Sequence, residues 1–472
     1  MPTPVLQRGP IQIEAVTTHA TAIELFLDGV SLGVFAPQDG KVVHEVPIVF
    51  DGQDGDHVVD AIARSPIGEV PDSALFHVDV PPGGQDVIVP WFDQEEAKFS
   101  AAFAMARHGS RLVTLGSLDL GGGWRPVLRE HGEAGELLGK RMLADWTERD
   151  DLLTAAASGF GMAVAFDDAG NLYMTANLVP AGQMKPRGYL AGLTPQGATI
   201  FPEVLLAPGE EIEKIVVRDG KIIVVGSREV ADERTVAAMW AFEAATGKQA
   251  WAPILVDAPD WTLDNKLVMS ARFHAVTFTN DGNLLVAGMT EDGLDVDNTT
   301  NRAMFLRANS LGQQLDSPEV FSDQYFFLQT AALAVTAYTG PDGYCWTGWT
   351  KDGDLDPEMM VTHCVGESVV SKFTSEWKNS AGLAIEYTPL TGRIIVGGYR
   401  SWPGVLNNGW VMSFADSLAE LESPHGWAWE FDSVVGGMDR VMAVGCQTYE
   451  CDVLGVSDLL GSSQVRLGRI NQ

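Results

Sequence analysis

Seven times after residue 86 the chain writes a short apolar run that ends beside a small residue. The copies are RLVTLGS at Gly116, NLYMTAN at Ala176, KIIVVGS at Gly226, NLLVAGM at Gly288, YCWTGWT at Gly348, RIIVGGY at Gly398 and CDVLGVS at Gly455, 50 to 62 residues apart. Repeats of that period mean stacked supersecondary units. Another apolar strand precedes the anchored one, as in HAVTFTNDGN and GLAIEYTPLTG, with a turn of Asp, Asn and Gly that accepts the positive φ of hairpins. An alternating third strand follows, as in AAMWAFEAATG and RAMFLRANSLG, and most copies add a fourth, such as QAWAPILV or WAWEFDS. Four antiparallel strands repeated seven times specify an all-β fold, a seven-bladed β-propeller over residues 86–472. The small anchor is expected where strands crowd the centre, because a missing side chain lets backbones approach.

The ends are expected to meet. The seventh copy stops at Gln472 after its third strand, while a spare strand, DVIVPWFDQ (Asp86–Gln94), stands before the first copy. It is similar to GWAWEFDS, the fourth strand of the sixth copy. Used as the missing strand, it would close the ring and remove an edge that invites aggregation.

DGNLLVAGMT (Asp281–Thr290) and the degenerate DAGNLYMTAN (Asp168–Asn177) resemble the repeat propellers of secreted bacterial proteins, whose blades carry a (D/N)-G-N-(L/I)-x-(V/L)-x-G-x-(T/S) core. That resemblance implies architecture and no activity. Residues 1–80 read differently. AIELFLDGVSLG (Ala22–Gly33), KVVHEVPIVF and DGDHVVDAIARSPIGEVPDSALFHVDV alternate apolar and polar residues, as strands of a small antiparallel sandwich do. With Gly55, Asp56, His57, Val58 and Ala61, this stretch resembles the Ig-like modules of bacterial surface proteins. Residues 81–85, inside VPPGGQD (Val80–Asp86), read as a linker, since Pro-Pro and Gly-Gly break regular structure.

Charge restricts the partners. The chain carries 31 basic and 63 acidic residues, a formal charge of -32. Phosphate binding needs a Lys/Arg surface, so nucleic acid is not an expected partner, and neither is an anionic membrane surface. A cationic partner, bound divalent ions or a salty medium fits such a surface. No apolar run is long enough for a transmembrane helix. MPTPVLQRGP lacks an apolar h-region and does not read as a signal peptide. The expectation is a secreted or cell-surface bacterial protein whose leader is trimmed from this chain. Four cysteines favour export: Cys446 and Cys451 flank the short link QTYE within disulfide reach, and Cys345 and Cys364 can pair across a loop. No Cys-x-x-Cys or Cys/His spacing points to zinc.

Gly-x-Thr-x-Asp-Gly occurs twice, in GMTEDGLDVDN and GWTKDGDLDPE, and aspartates follow both times. Asp292, Asp295 and Asp297, with Asp352, Asp354 and Asp356, are candidate ligands for calcium, a hard cation that takes several oxygens at short spacing. Neither loop is an EF-hand, for both lack the sixth-position Gly and the closing Glu. The alternative is a solvated acidic rim on two units that keep the same strand end. AFEAATGKQAW (Ala241–Trp251) is similar to the docking repeat of quinone-dependent dehydrogenase propellers, but it occurs once and reads as a strand–turn–strand with a packed Trp. There is no Gly-x-Ser-x-Gly elbow and no paired-His spacing. His57 and His274 lie in or beside strands and read as packed or exposed side chains rather than bases. Carboxylates are too numerous for a glycosidase pair to be picked out. The functional expectation is a non-enzymatic extracellular or surface binding or scaffold protein, using a propeller face for a protein or glycan ligand. The alternative is an extracellular propeller enzyme, a hydrolase or lyase acting on a polysaccharide. Acid and base groups set deep in the strands and converging on the centre favour the enzyme; small and apolar residues there favour binding.

Overall fold

A computed structural model describes residues 3–5, 9–48, 55–66, 68–78, 99–119, 123–132, 136–145, 158–231, 234–257, 268–292, 301–320, 329–338, 343–351, 359–365, 369–373, 380–389, 392–400, 408–415, 427–431, 438–446, 450–459 and 462–471. Among them the regular structure is β, apart from one 3-10 turn at Leu143–Asp145.

The N-terminal strands form two sheets. Ala22–Leu27 turns through Asp28 and Gly29, both at positive φ, into Val30–Phe35. These two join Gly55–Ser65, Gly68–Val78 and the short Thr3–Val5 in one five-stranded sheet. Gly9–Val16 pairs with Lys41–Ile48 in a second. Alternation turns Ile23 and Leu25 of the first sheet and Ile13, Val42 and Val46 of the second into one shared core. The linker residues 81–85 and the strand Asp86–Gln94 lie outside the described residues.

From Phe99 on, the chain runs through seven consecutive antiparallel units. Their first strands are Phe99–His108, Ser158–Phe166, Glu210–Arg218, Val268–Phe278, Gln329–Ala337, Ser380–Thr388 and Met438–Cys446. Five units are separate four-stranded sheets, while the four strands of the first and the three of the last are joined in one seven-stranded sheet. Each first strand packs on the first strand of the next unit, and that of the seventh packs on that of the first. The third strand of the seventh unit also meets the first unit in parallel, at Ser463 and Phe99.

Burial explains the stacking. Each strand group has apolar residues on both faces, so each face needs a neighbour. The core is accordingly divided among the seven junctions. Leu115 and Leu128 pack with Met174 and Tyr189 between units one and two; Ala443, Leu454 and Val465 pack with Ala102 between units seven and one. Turns dock as well: Phe201 covers Gly247 of the following unit, and Trp251 covers Gly312 of the one after. Trp251 of AFEAATGKQAW is thus a packed residue at a junction.

Candidate functional site

All seven first strands slip register at one place. The skips fall between Ala102 and Ala104, Gly161 and Ala163, Ile212 and Lys214, Phe273 and Ala275, Ala332 and Ala334, Gly382 and Ala384, and Val441 and Ala443. A bulge of this kind leaves one residue unpaired and re-aims its side chain. The bulged residues are Phe103, Met162, Glu213, His274, Leu333, Leu383 and Met442, all half-buried.

The anchor glycines face these bulges. Gly226 pairs with Ile212 and Gly288 with Phe273. A Cβ on Gly226 would lie 2.0 Å from the Glu211 carbonyl oxygen, and one on Gly288 2.0 Å from that of Arg272. At Gly116 and Gly348 the same clash would be 1.8 Å. The crowding comes from the bulged neighbour strand of the same unit. The second unit has Ala176 at this place, opposite Gly161.

The residue after the bulge is alanine in six units: Ala104, Ala163, Ala275, Ala334, Ala384 and Ala443, each buried. In the third unit it is Lys214, half-buried. Two places beyond Ala384 on its strand lies Glu386, also half-buried. Lys214 and Glu386 stand on first strands three units apart, and those strands are not neighbours. Each is nonetheless the charged group that acts on the other. Among the described residues neither makes an ion pair or a side-chain hydrogen bond.

Burial sets the proton affinities here, because low-dielectric surroundings disfavour the charged form. It pushes the Glu386 carboxyl up to about 7, with Lys214 pulling the other way. It pulls the Lys214 ammonium below the usual lysine range, against the attraction of Glu386. Burial raises Glu213 as well; Arg272 lowers it and Glu211 raises it further. Arg272 Nη1 donates to Glu213 Oε1 at 3.0 Å and lies 3.7 Å from Glu211 Oε2. His274 is brought down to about 4, by burial first and the Arg272 charge second, so its imidazole is neutral at neutral pH. Its Nε2 is buried without a hydrogen-bond partner.

Units three and four therefore put a carboxylate held by arginine, a neutral imidazole and an ammonium on adjoining first strands, and unit six adds a carboxyl that exchanges its proton near neutrality. Carboxyl and imidazole groups tuned this way can give or take protons from a bound molecule. The other five bulged residues, Phe103, Met162, Leu333, Leu383 and Met442, make an apolar arc.

Of the residues singled out in the sequence, His274 belongs to this set. Asp292 ends the second strand of unit four, paired in register with Val268. Asp295, Asp297, Asp352, Asp354 and Asp356 lie outside the described residues. Among the described residues no cluster of His, Cys, Asp or Glu has the arrangement of a metal site. Cys345 and Cys364 face each other on neighbouring strands and are joined, as are Cys446 and Cys451 across a hairpin. His57 pairs with Asp28, Nδ1 to Oδ2 at 2.7 Å, and this bond holds Asp28 below the usual carboxylate range. His274 occupies the bulge of the fourth unit's first strand. A signal for the bulges was present in the sequence: x-Ala-(Val/Ile) recurs as MAV, HAV, LAV, LAI and MAV, while the first unit writes FAM and the third EKI.

No protein-family model matches the chain, and no curated protein matches it. Solved structures do. The polysaccharide lyase Uly1 is similar at 9% identity with a TM-score of 0.47, over 81% of this chain and 93% of that one. Sqt1 from Chaetomium thermophilum is similar at 12% identity with a TM-score of 0.44, over 82% and 99%. The Penicillium chrysogenum alpha-L-arabinanase complexed with arabinobiose gives 9% identity and a TM-score of 0.41, over 67% and 94%. At these values the likenesses carry neither a residue role nor an activity to this chain.

Proposed function

We propose that the chain is a closed seven-bladed β-propeller behind an Ig-like module, and that the centre of its ring acts on a polysaccharide outside the cell. The repeated bulged first strand, the core at every junction and the contact of unit seven with unit one support the propeller. Two disulfides fit an oxidising compartment.

The observation that carries the activity is the convergence of Glu213, His274, Lys214 and Glu386 on the first strands, with proton affinities moved away from their ordinary values. A glycoside hydrolase needs one carboxyl that keeps its proton near neutrality and one that stays ionised. Glu386 suits the first role; burial raises Glu213 as well, and Arg272, hydrogen-bonded to it, opposes that rise. A lyase needs a neutral base, and His274 with its open Nε2 suits that. The test is depolymerisation of a panel of neutral and acidic polysaccharides, read as new reducing ends and as unsaturated product. Glu386→Gln and Glu213→Gln should each lower kcat at least about 100-fold in folded protein, the usual scale of general acid–base catalysis. Loss with Glu386→Gln and not with His274→Gln marks a hydrolase; the reverse marks a lyase. Absence of depolymerisation across the panel sinks the enzymatic reading.

The apolar arc of five bulged residues favours a second reading, a binding or scaffold protein that holds a protein or glycan ligand without turning it over. Retention of a polysaccharide with no new ends would support it.

A further inference from the structure

We infer that the seventh and first units recognise each other by charge: Asp452, bound by Arg469 of its own unit and by Arg107 of the first, is an ionic key that pairs the two end units and excludes the other junction faces. This holds whether or not the chain has an activity.

One pair of positions recurs at the junctions. The first position is three residues before the anchor, on the second strand of one unit. The other is four residues after the bulge, on the first strand of the next. At five junctions the two share an apolar core: Val113 with Phe166, Tyr173 with Val217, Ile223 with Phe278, Cys345 with Tyr387, and Ile395 with Cys446. Leu285 and Ala337 hold these positions between units four and five. None of them carries a charge. Only where unit seven meets unit one are both positions ionic, with Asp452 on the second strand and Arg107 on the first.

The two charges meet. Arg107 Nε donates to Asp452 Oδ2, and Arg469 Nε donates to Asp452 Oδ1 at 2.9 Å. The Asp452, Arg107 and Arg469 side chains are 5%, 10% and 14% exposed. Such a triad is a poor source of stability, because desolvation offsets much of its attraction and packed apolar groups of similar size stabilise as well or better. Arg107 Nη2 is also buried without a hydrogen-bond partner.

What the triad adds is selectivity. The other junction faces are apolar and alike, so a growing seventh unit could stack on any of them, in its own chain or in a second copy. Asp452 set against Phe166 or Val217 would be a buried carboxylate without a partner, and Arg107 set against Val113 or Ile395 a stranded guanidinium. Each mismatch is strongly unfavourable. Among the seven first strands, that of unit one alone offers Asp452 a cation at this position. A second copy's first unit offers the same cation, but the tethered one has the higher effective concentration in dilute protein.

The experiment refolds the whole chain from urea, disulfides intact, at about 1 µM and about 50 µM, so that neighbouring chains compete with the tethered unit to different degrees. The fraction recovered at the parent's native size is read by size-exclusion chromatography with light scattering, and the Tm of that fraction is measured. Asp452→Leu leaves two guanidiniums without their carboxylate and should lower Tm by at least about 4 °C. The apolar triple variant Arg107→Leu, Asp452→Leu, Arg469→Met should melt within about 2 °C of the parent or above it. Its native-sized fraction at the higher concentration should nevertheless fall at least about 3-fold, the remainder appearing as oligomers. Recovery equal to the parent's at both concentrations overturns the inference. So does a triple variant that loses as much Tm as Asp452→Leu, since the triad would then be a source of stability rather than of selectivity. An unchanged Tm in Asp452→Leu overturns it too. If the triple variant does not fold, Asp452→Asn, which keeps the size and removes the charge, decides: a concentration-dependent loss of native-sized protein supports the ionic key, and unaltered recovery overturns it.

Discussion

Trp251 lies on the α-carbon of Gly312. A Cβ built on that glycine would come within 2.5 Å of the indole, and its φ of +77 is one that L residues rarely adopt. The pair joins the fourth strand of unit three to a turn of unit four, so it is a weld between repeats. Gly312→Ala meets both the clash and the left-handed backbone and should cost about 3 kcal/mol. Trp251→Ala should cost a similar amount. The double substitution should cost less than the sum, since removing the indole relieves the clash. Urea melts of the three variants check this; strict additivity would mean that the residues do not communicate.

The bulge opposite each anchor makes a sharper contrast. Gly288→Ala drives a methyl into the Arg272 carbonyl, a backbone atom that cannot rotate away. It should cost about 3 kcal/mol. Ala176→Gly, at the equivalent place in unit two, should cost no more than about 1 kcal/mol, from chain entropy alone. Similar losses in the two variants would show that the bulge does not select the anchor.

Protonation of Glu386 should be visible in stability. The folded chain holds this proton up to about pH 7, while the unfolded chain releases it near 4.5. The folded state therefore binds the proton more tightly, and folding weakens as pH rises from 4.5 to 7. His274, brought to about 4, runs the other way: its contribution is whole above 6.5 and is lost as pH falls toward 4. Glu386→Gln removes the first slope only. Its stability relative to the parent should grow between pH 5 and pH 8 by about 2 kcal/mol, an amount already reduced for solvent at a half-buried carboxyl. Parallel urea melts at the two pH values test this, and a constant difference would place the Glu386 carboxyl in the ordinary range.

The two disulfides should differ in worth. Sequence separations of 19 for Cys345–Cys364 and 5 for Cys446–Cys451 give about 3 and about 2 kcal/mol by loop entropy. Both lie within single units, so reduction should loosen units five and seven and leave the junctions. Non-reducing peptide mapping should recover both pairs. Four free thiols in native protein would count against the pairs and against an exported life.

The proposed closure of the ring gives a truncation test. Deleting residues 1–80 should leave the repeat folded, whereas deleting 1–95 should bare the outer edge of Ser462–Asn471 and cause aggregation or a large fall in Tm. Equal behaviour of the two truncations would remove Asp86–Gln94 as the closing strand.

Much of the repeat was legible because one steric demand recurs. A bulge pushes a carbonyl at the neighbouring strand, so Gly116, Gly226, Gly288, Gly348 and Gly398 recur in register and can be counted. The bulge itself left only the short x-Ala-(Val/Ile) trace, which looks like any apolar strand until the register is known. Lys214 and Glu386 were harder still. They lie far apart in sequence, on first strands that are not neighbours. The acidic loops drew attention because their aspartates are close in sequence; of the six, Asp292 alone lies among the described residues. His274 read as a packed or exposed strand residue, and it is half-buried; its place on a bulge beside Arg272 is what gives it chemical interest.

The pairing of Ser463 with Phe99 sets a clock on biosynthesis. At roughly 5–20 residues per second, about 20 to 70 s separate the emergence of these two residues. Through that interval the growing arc keeps an apolar face open at each end, with Ala102 waiting for Ala443, Leu454 and Val465. A nascent chain halted before its last unit would therefore be an open, adhesive intermediate lacking a finished centre, dependent on shielding until the final strand is made.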